Sequence, residues 1–175
     1  MPRMKVVWFE QKRSDWYKWV MKAVTGCPKQ HVGFLCPETG VLYDMSLQRR
    51  HRTFSNVIAT HEDILFTLID SPVDIPEKYL MDKEINSDHY GAVDYVFFLL
   101  RPLYHLIGKT TRNQDGIICS EQVYTDMVQN GWAYSFREVP SPCNLFNAII
   151  EYYVKTDTDY NLTLIEGGTG KVIKA

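Results

Sequence analysis

Cys119 stands where the extended apolar run of residues 116–118 gives way to a helical pattern, a setting in which a thiol becomes reactive. Val123, Tyr124, Met127 and Val128 recur at helical spacing and Asn130-Gly131 supplies a stop, so Cys119 falls in the first turn of a predicted helix. Unpaired backbone N–H groups and the positive end of the helix dipole favour thiolate there, drawing a cysteine pKa from ~8.5 toward neutrality or below. Counting back four from Val123 reaches Cys119, so its sulfur projects along the buried stripe of the helix. A cysteine in an apolar run is more often packing than catalyst. Chemistry requires a base on the surface against which the helix packs.

His31 has the context of such a base. Residues 30–35 and 41–45 flank the turn residues Pro37-Glu38-Thr39-Gly40, the pattern of a hairpin. Pairing Phe34 with Val41 sets His31 opposite Asp44, an acceptor able to orient the ring. A slip of one or two residues brings Met45 or Ser46 there instead, and Ser46 faces the same side as Asp44. A thiol, an imidazole and a third polar group form the general constellation of an activated nucleophile. The other histidines fit blander roles: His89 has nothing visible to orient it, His51 and His61 lie among polar residues, and His105 sits in an apolar helix.

The elements that must position these residues follow in order. Residues 5–9 read as a strand, and Ser14-Asp15 caps a helix carrying Trp16, Trp19, Val20 and Ala23. Residues 64–69 form a further apolar strand, 78–85 a helix after Pro76, and 90–107 a buried helix bent at Pro102. A loop over 108–116 leads into the Cys119 helix. Residues 132–139 read as a strand, Ser141-Pro142 starts a helix through Leu145, Phe146, Ile149 and Ile150, and a strand over 161–165 precedes a glycine-rich tail. The cluster Arg49, Arg50 and Arg52 reads as a solvated loop near the hairpin, able to meet an acidic part of a substrate.

At 175 residues the chain is expected to be a single domain, 1–175, with a core large enough to need no staples. A hydrophobic content of 45% with 23% charged residues is globular, and a net charge of −2 gives no reason to expect nucleic acid or an anionic membrane as partner. No run approaches the ~20 apolar residues of a membrane span. With no signal peptide apparent, the four cysteines are expected to be reduced and the protein cytoplasmic. Cys27, His31 and Cys36 lie close in sequence, but zinc needs a fourth ligand at matching spacing, so no metal and no cofactor is expected. Gly167-Gly168-Thr169-Gly170-Lys171 lacks the first glycine and the magnesium-binding hydroxyl of a phosphate loop.

The order of the parts carries a resemblance. His31-Val32-Gly33-Phe34-Leu35, a second strand ending Leu42-Tyr43-Asp44-Met45, Tyr90-Gly91-Ala92-Val93-Asp94 leading a helix, Ile118-Cys119-Ser120-Glu121-Gln122-Val123, and Ser141-Pro142-Cys143-Asn144-Leu145 together resemble the circularly permuted papain-like hydrolases of the NlpC superfamily, most of all the YiiX-like group. The histidine precedes the cysteine, as in that family, and the resemblance runs from about Val6 to Ile150. It implies an α+β fold, a small antiparallel sheet packed against helices, with Cys119 as nucleophile, His31 as general base and Asp44 in the third position. At that third position the family often has glutamate, which reaches further.

The function implied is hydrolysis of an amide, peptide-like bond through an acyl-enzyme on Cys119, with the oxyanion held by N–H groups of the first helical turn. The same fold serves a lipid-directed thiol acyltransferase or phospholipase, and a non-catalytic binding module is the third alternative. The expected partner is a peptide-like or acylated substrate.

Overall fold

The computed structural model describes residues 3–12, 27–46, 48–85 and 118–174. The helices expected over 16–23 and 90–107, the loop 108–116, His89 and His105 lie outside these residues. The strands are β1 (Lys5–Gln11), β2 (Lys29–Cys36), β3 (Val41–Met45), β4 (Arg49–Thr53), β5 (Ile64–Asp70), β6 (Leu162–Glu166) and β7 (Val172–Lys174). The helices among the described residues are α1 (Phe54–Thr60), α2 (Glu77–Ile85), α3 (Cys119–Gln129) and α4 (Pro142–Thr156). The strands form one antiparallel sheet in the order β4-β3-β2-β1-β5-β6-β7, so the fold is α+β.

The centre of the sheet is buried on both faces, which explains why Val6, Val7, Trp8 and Phe9 run on without a polar alternate. On one face Val6, Trp8, Val32 and Phe34 meet Cys119, Val123 and Met127 of α3 and Leu145, Ala148, Ile149 and Tyr153 of α4. On the other, Val7, Phe9, Leu35, Leu42 and Phe66 meet Phe54 and Val57 of α1. α4 begins where Ser141 accepts the Asn144 N–H at 3.0 Å ahead of Pro142, and Trp8 Nε1 donates to the Pro142 carbonyl at 3.0 Å. That bond ties the first strand to the last helix. Among the described residues no helix is long and apolar enough to cross a membrane.

Four expectations are corrected. The hairpin pairs Cys36, not Phe34, with Val41, because the turn keeps all four residues 37–40 and closes with Gly40 N–H donating to the Cys36 carbonyl, Gly40 having φ +68°. Residues 132–139 form no strand. Their alternating rings pack on one another and on α3: Trp132 stacks on Tyr134 at 5.0 Å and Phe136 meets Tyr124 at 5.0 Å, so the period of two reflects ring packing rather than a ladder. The arginines are not in a loop but in β4, which closes one end of the sheet. Finally, Cys27 and Cys143 are not reduced but joined in a disulfide, because the fold brings the start of α4 beside the start of β2 across 116 positions of sequence.

Candidate functional site

α3 opens at Cys119 with Ile118 as an extended N-cap whose side chain makes no capping hydrogen bond. Ser120, fully buried, donates from Oγ to the Pro140 carbonyl at 2.7 Å and fixes this turn against the segment leading into α4. Further along, Asp126 receives both Nη atoms of Arg49 at 2.8 and 3.2 Å, and the Tyr79 hydroxyl meets it at 3.1 Å. Those side chains come from β4 and α2, so the thiol-bearing helix is held at its first turn and again past its middle. The pair is buried and bidentate, the geometry in which a buried ion pair is satisfied rather than costly.

His31 lies on the opposite face of the sheet. It pairs with Phe9 of β1 and its ring stands 5.0 Å from the Phe9 ring, which belongs to the core under α1. The nucleophile and the imidazole therefore come from different layers, and they meet where the β2–β3 ladder stops at Gly33↔Asp44. There the His31 ring and the Cys119 sulfur come close enough to shift each other's ionisation, and the backbone at Val32 and Ser120 adds to the stabilisation of the sulfur's negative charge. His31 Nε2 lies 3.0 Å from Asp44 Oδ2, which leaves Nδ1 for the thiol.

Asp44, whose side chain is fully buried, is the hub of the far side. The register places Gly33, not His31, directly across from it, and Ser46 across from His31 beyond the end of the ladder. A Cβ on Gly33 would stand 2.6 Å from the Tyr43 carbonyl and 3.0 Å from Asp44 Cβ; its absence lets the carboxylate lean diagonally to the imidazole. Asp44, and not Ser46, makes the hydrogen bond. Arg50 Nε donates to Asp44 Oδ1 at 2.9 Å and its Nη2 to Oδ2 at 3.4 Å, while Arg52 Nη2 pairs with Oδ2.

The electrostatics follow from these contacts. Burial alone would lower the His31 pKa, but the negative sulfur of Cys119, then the hydrogen bonds to Asp44 and to the sulfur, outweigh it and push it up to about 9. Burial alone would raise the Cys119 thiol; the His31 charge first, then its hydrogen bond and the backbone at Val32 and Ser120, bring it below its ordinary value. Burial likewise opposes ionisation of Asp44, but hydrogen bonds from His31 and Arg50 and the charges of His31 and Arg52 hold its carboxyl below the usual range. These contacts all act toward a thiolate beside an imidazolium, with a carboxylate behind it.

Of the other sequence candidates, His51 Nδ1 pairs with Glu84 at 2.8 Å and His61 Nδ1 meets the Val57 carbonyl at 2.8 Å, so both are engaged away from the thiol. Cys27 is held by Cys143, Cys36 is a free buried thiol, and neither stands in the Cys119–His31–Asp44 chain. The sequence singles out Arg49, Arg50 and Arg52 but not their partners, which are Asp126 for Arg49 and Asp44 for Arg50 and Arg52. A signal for the latter exists: Arg50 and Arg52 stand two apart, the spacing that puts both on one face of a strand. Compared with protein-family models, curated proteins and solved structures, the chain matches none of them.

Proposed function

We propose that the protein is a cysteine-dependent hydrolase that cleaves an amide, peptide-like bond through an acyl-enzyme on Cys119. The observation that carries this reading is the line of Cys119, at the first turn of α3, the His31 ring that interacts with its sulfur, and the buried Asp44 carboxylate 3.0 Å from His31 Nε2. The likeness of the sequence elements to permuted papain-like hydrolases supports it from a separate direction.

The thiolate attacks the acyl carbonyl, and the developing oxyanion accepts hydrogen bonds from N–H groups of the first turn of α3, whose N-cap residue Ile118 makes no capping bond. Imidazolium His31 gives its proton to the leaving amine as the C–N bond breaks. The neutral ring then takes a proton from water, which attacks the thioester and returns Cys119 as thiolate. Asp44 keeps the ring turned and stabilises its charged form in the first step.

The experiment is turnover of a panel of amides and esters by the wild type and by Cys119→Ala, with mass spectrometry of the denatured protein to find an acyl group on Cys119. Amide cleavage lost in the variant, with a thioester trapped in the wild type, is the expected result. Ester or acyl-transfer turnover without any amide cleavage rejects the amide and favours a lipid-directed enzyme. Equal turnover by the variant rejects the nucleophile.

A further inference from the structure

Asp44 and Arg50 lie on the same face of the sheet as His31, and Arg52 is aligned with them by the alternation of β4. The carboxylate oxygens of Asp44 are taken by His31 Nε2, Arg50 Nε and Nη2, and Arg52 Nη2, which fills their capacity for hydrogen bonds. Donors remain. Arg52 Nε is buried with no hydrogen-bond partner among the described residues, and the Arg50 side chain is 41% exposed. Counting the connected charges, with Cys119 and Asp44 negative and His31, Arg50 and Arg52 positive, leaves a surplus of one positive charge.

We infer that the substrate carries an anionic group, a carboxylate or a phosphate, beside the acyl bond that Cys119 attacks, and that Arg50 and Arg52 hold it. The inference rests on the thiol-hydrolase reading and adds its substrate class. Guanidinium forks suit both anions and are more weakly hydrated than an ammonium, and the exposure of Arg50 leaves it within reach of a ligand.

The test needs no knowledge of the substrate. Iodoacetate and iodoacetamide both alkylate a thiolate, forming an S–CH2 bond and releasing iodide; they have similar size and differ by one negative charge. The ratio of their rates cancels the thiolate fraction and reports the field at the sulfur. For the intact protein at low salt the ratio is expected to exceed that of 2-mercaptoethanol by about tenfold, and to fall steeply as salt is raised, since exposed charges are screened within ~3 Å at about 1 M. Arg50→Gln and Arg52→Gln are each expected to lower the ratio about threefold, the size of a charge effect largely screened by solvent, and Arg50→Lys to keep most of it. Inorganic phosphate and acetate, tested separately as protectants of Cys119, tell which anion is preferred, and protection by neither overturns the inference.

A ratio unchanged in both glutamine variants also overturns it. If those variants do not fold, a wild-type ratio that ignores salt does so instead. Failure of the parent reading looks different: slow reaction with iodoacetamide itself at about pH 6, whatever the ratio. Fast iodoacetamide reaction with an ordinary ratio sinks only the anion subsite.

Discussion

His31 Nε2 reaches Asp44 Oδ2 at 3.0 Å across a diagonal of the β2–β3 hairpin, over a glycine that is the true cross-strand partner of Asp44. Gly33 is therefore part of the site although it contributes no side chain. In Gly33→Ala the new methyl would meet the Tyr43 carbonyl, a backbone atom that cannot swing aside, and Asp44 Cβ. Overpacking of this kind costs about 1–3 kcal/mol. Thermal melting is expected to show that loss, and turnover per folded molecule to fall by more than tenfold as Asp44 is pushed off the imidazole. Unchanged turnover in a destabilised variant would mean that the diagonal contact is only structural.

The pH dependence has a definite sign. The working pair needs Cys119 ionised and His31 protonated, so kcat/KM should rise as the lowered thiol pKa is passed and fall as His31 loses its proton at about 9. Asp44 is one of the groups that raises His31, so Asp44→Asn should move the basic limb to lower pH. The stability lent by His31 is fully present below its unfolded value near ~6.5 and is lost as pH rises through about 9. That lent by Asp44, whose carboxyl is held low, is present above its unfolded value near ~3.9 and is lost as pH falls. A basic limb that Asp44→Asn leaves in place would detach Asp44 from the imidazole.

Arg49 and Asp126 hold the middle of α3 to β4, with side-chain exposures of 5% and 0%. Removing one partner strands a buried charge, which costs about 3–5 kcal/mol. Arg49→Ala is expected to lower the unfolding free energy by that amount, read as a lower urea midpoint at unchanged slope, whereas Arg49→Met with Asp126→Leu should recover most of the stability. Recovery of folding without recovery of turnover would identify the pair as a positioning element of the Cys119 helix.

The Cys27–Cys143 bond closes a loop of 116 positions, for which chain entropy allows up to about 5 kcal/mol. It joins the start of α4 to a point four residues before His31, so reduction should loosen the strand that carries the base as well as the fold. Alkylation of the denatured, unreduced chain should modify two thiols, Cys36 and Cys119, and four after reduction. Four modified before reduction would exclude the bond.

Much of this architecture is legible in the sequence, and the exceptions share a physical cause. Val6 to Phe9, the hairpin around residues 37–40 and the Cys119 helix carry their own patterns, because burial on a defined face dictates residue type. β4 does not: Arg49-Arg50-His51-Arg52 looks solvated until Asp44, Asp126 and Glu84 are brought alongside it by the fold. The hairpin face is legible and its register is not, since a slip of two residues keeps every side chain on the same side. That is why Asp44 finds His31 by a diagonal that one-dimensional pairing does not contain. The disulfide is equally hidden, since nothing local links residues 116 apart.

The ionisation of Cys119 is the quantity on which the account turns. Following thiolate ultraviolet absorbance from about pH 4 to pH 9, with Cys119→Ser as blank, should reveal a thiolate well below the ordinary ~8.5, and His31→Ala should return it toward that value. A Cys119 that titrates as an ordinary thiol, indifferent to the loss of His31, would contradict the ion pair and with it the proposed chemistry.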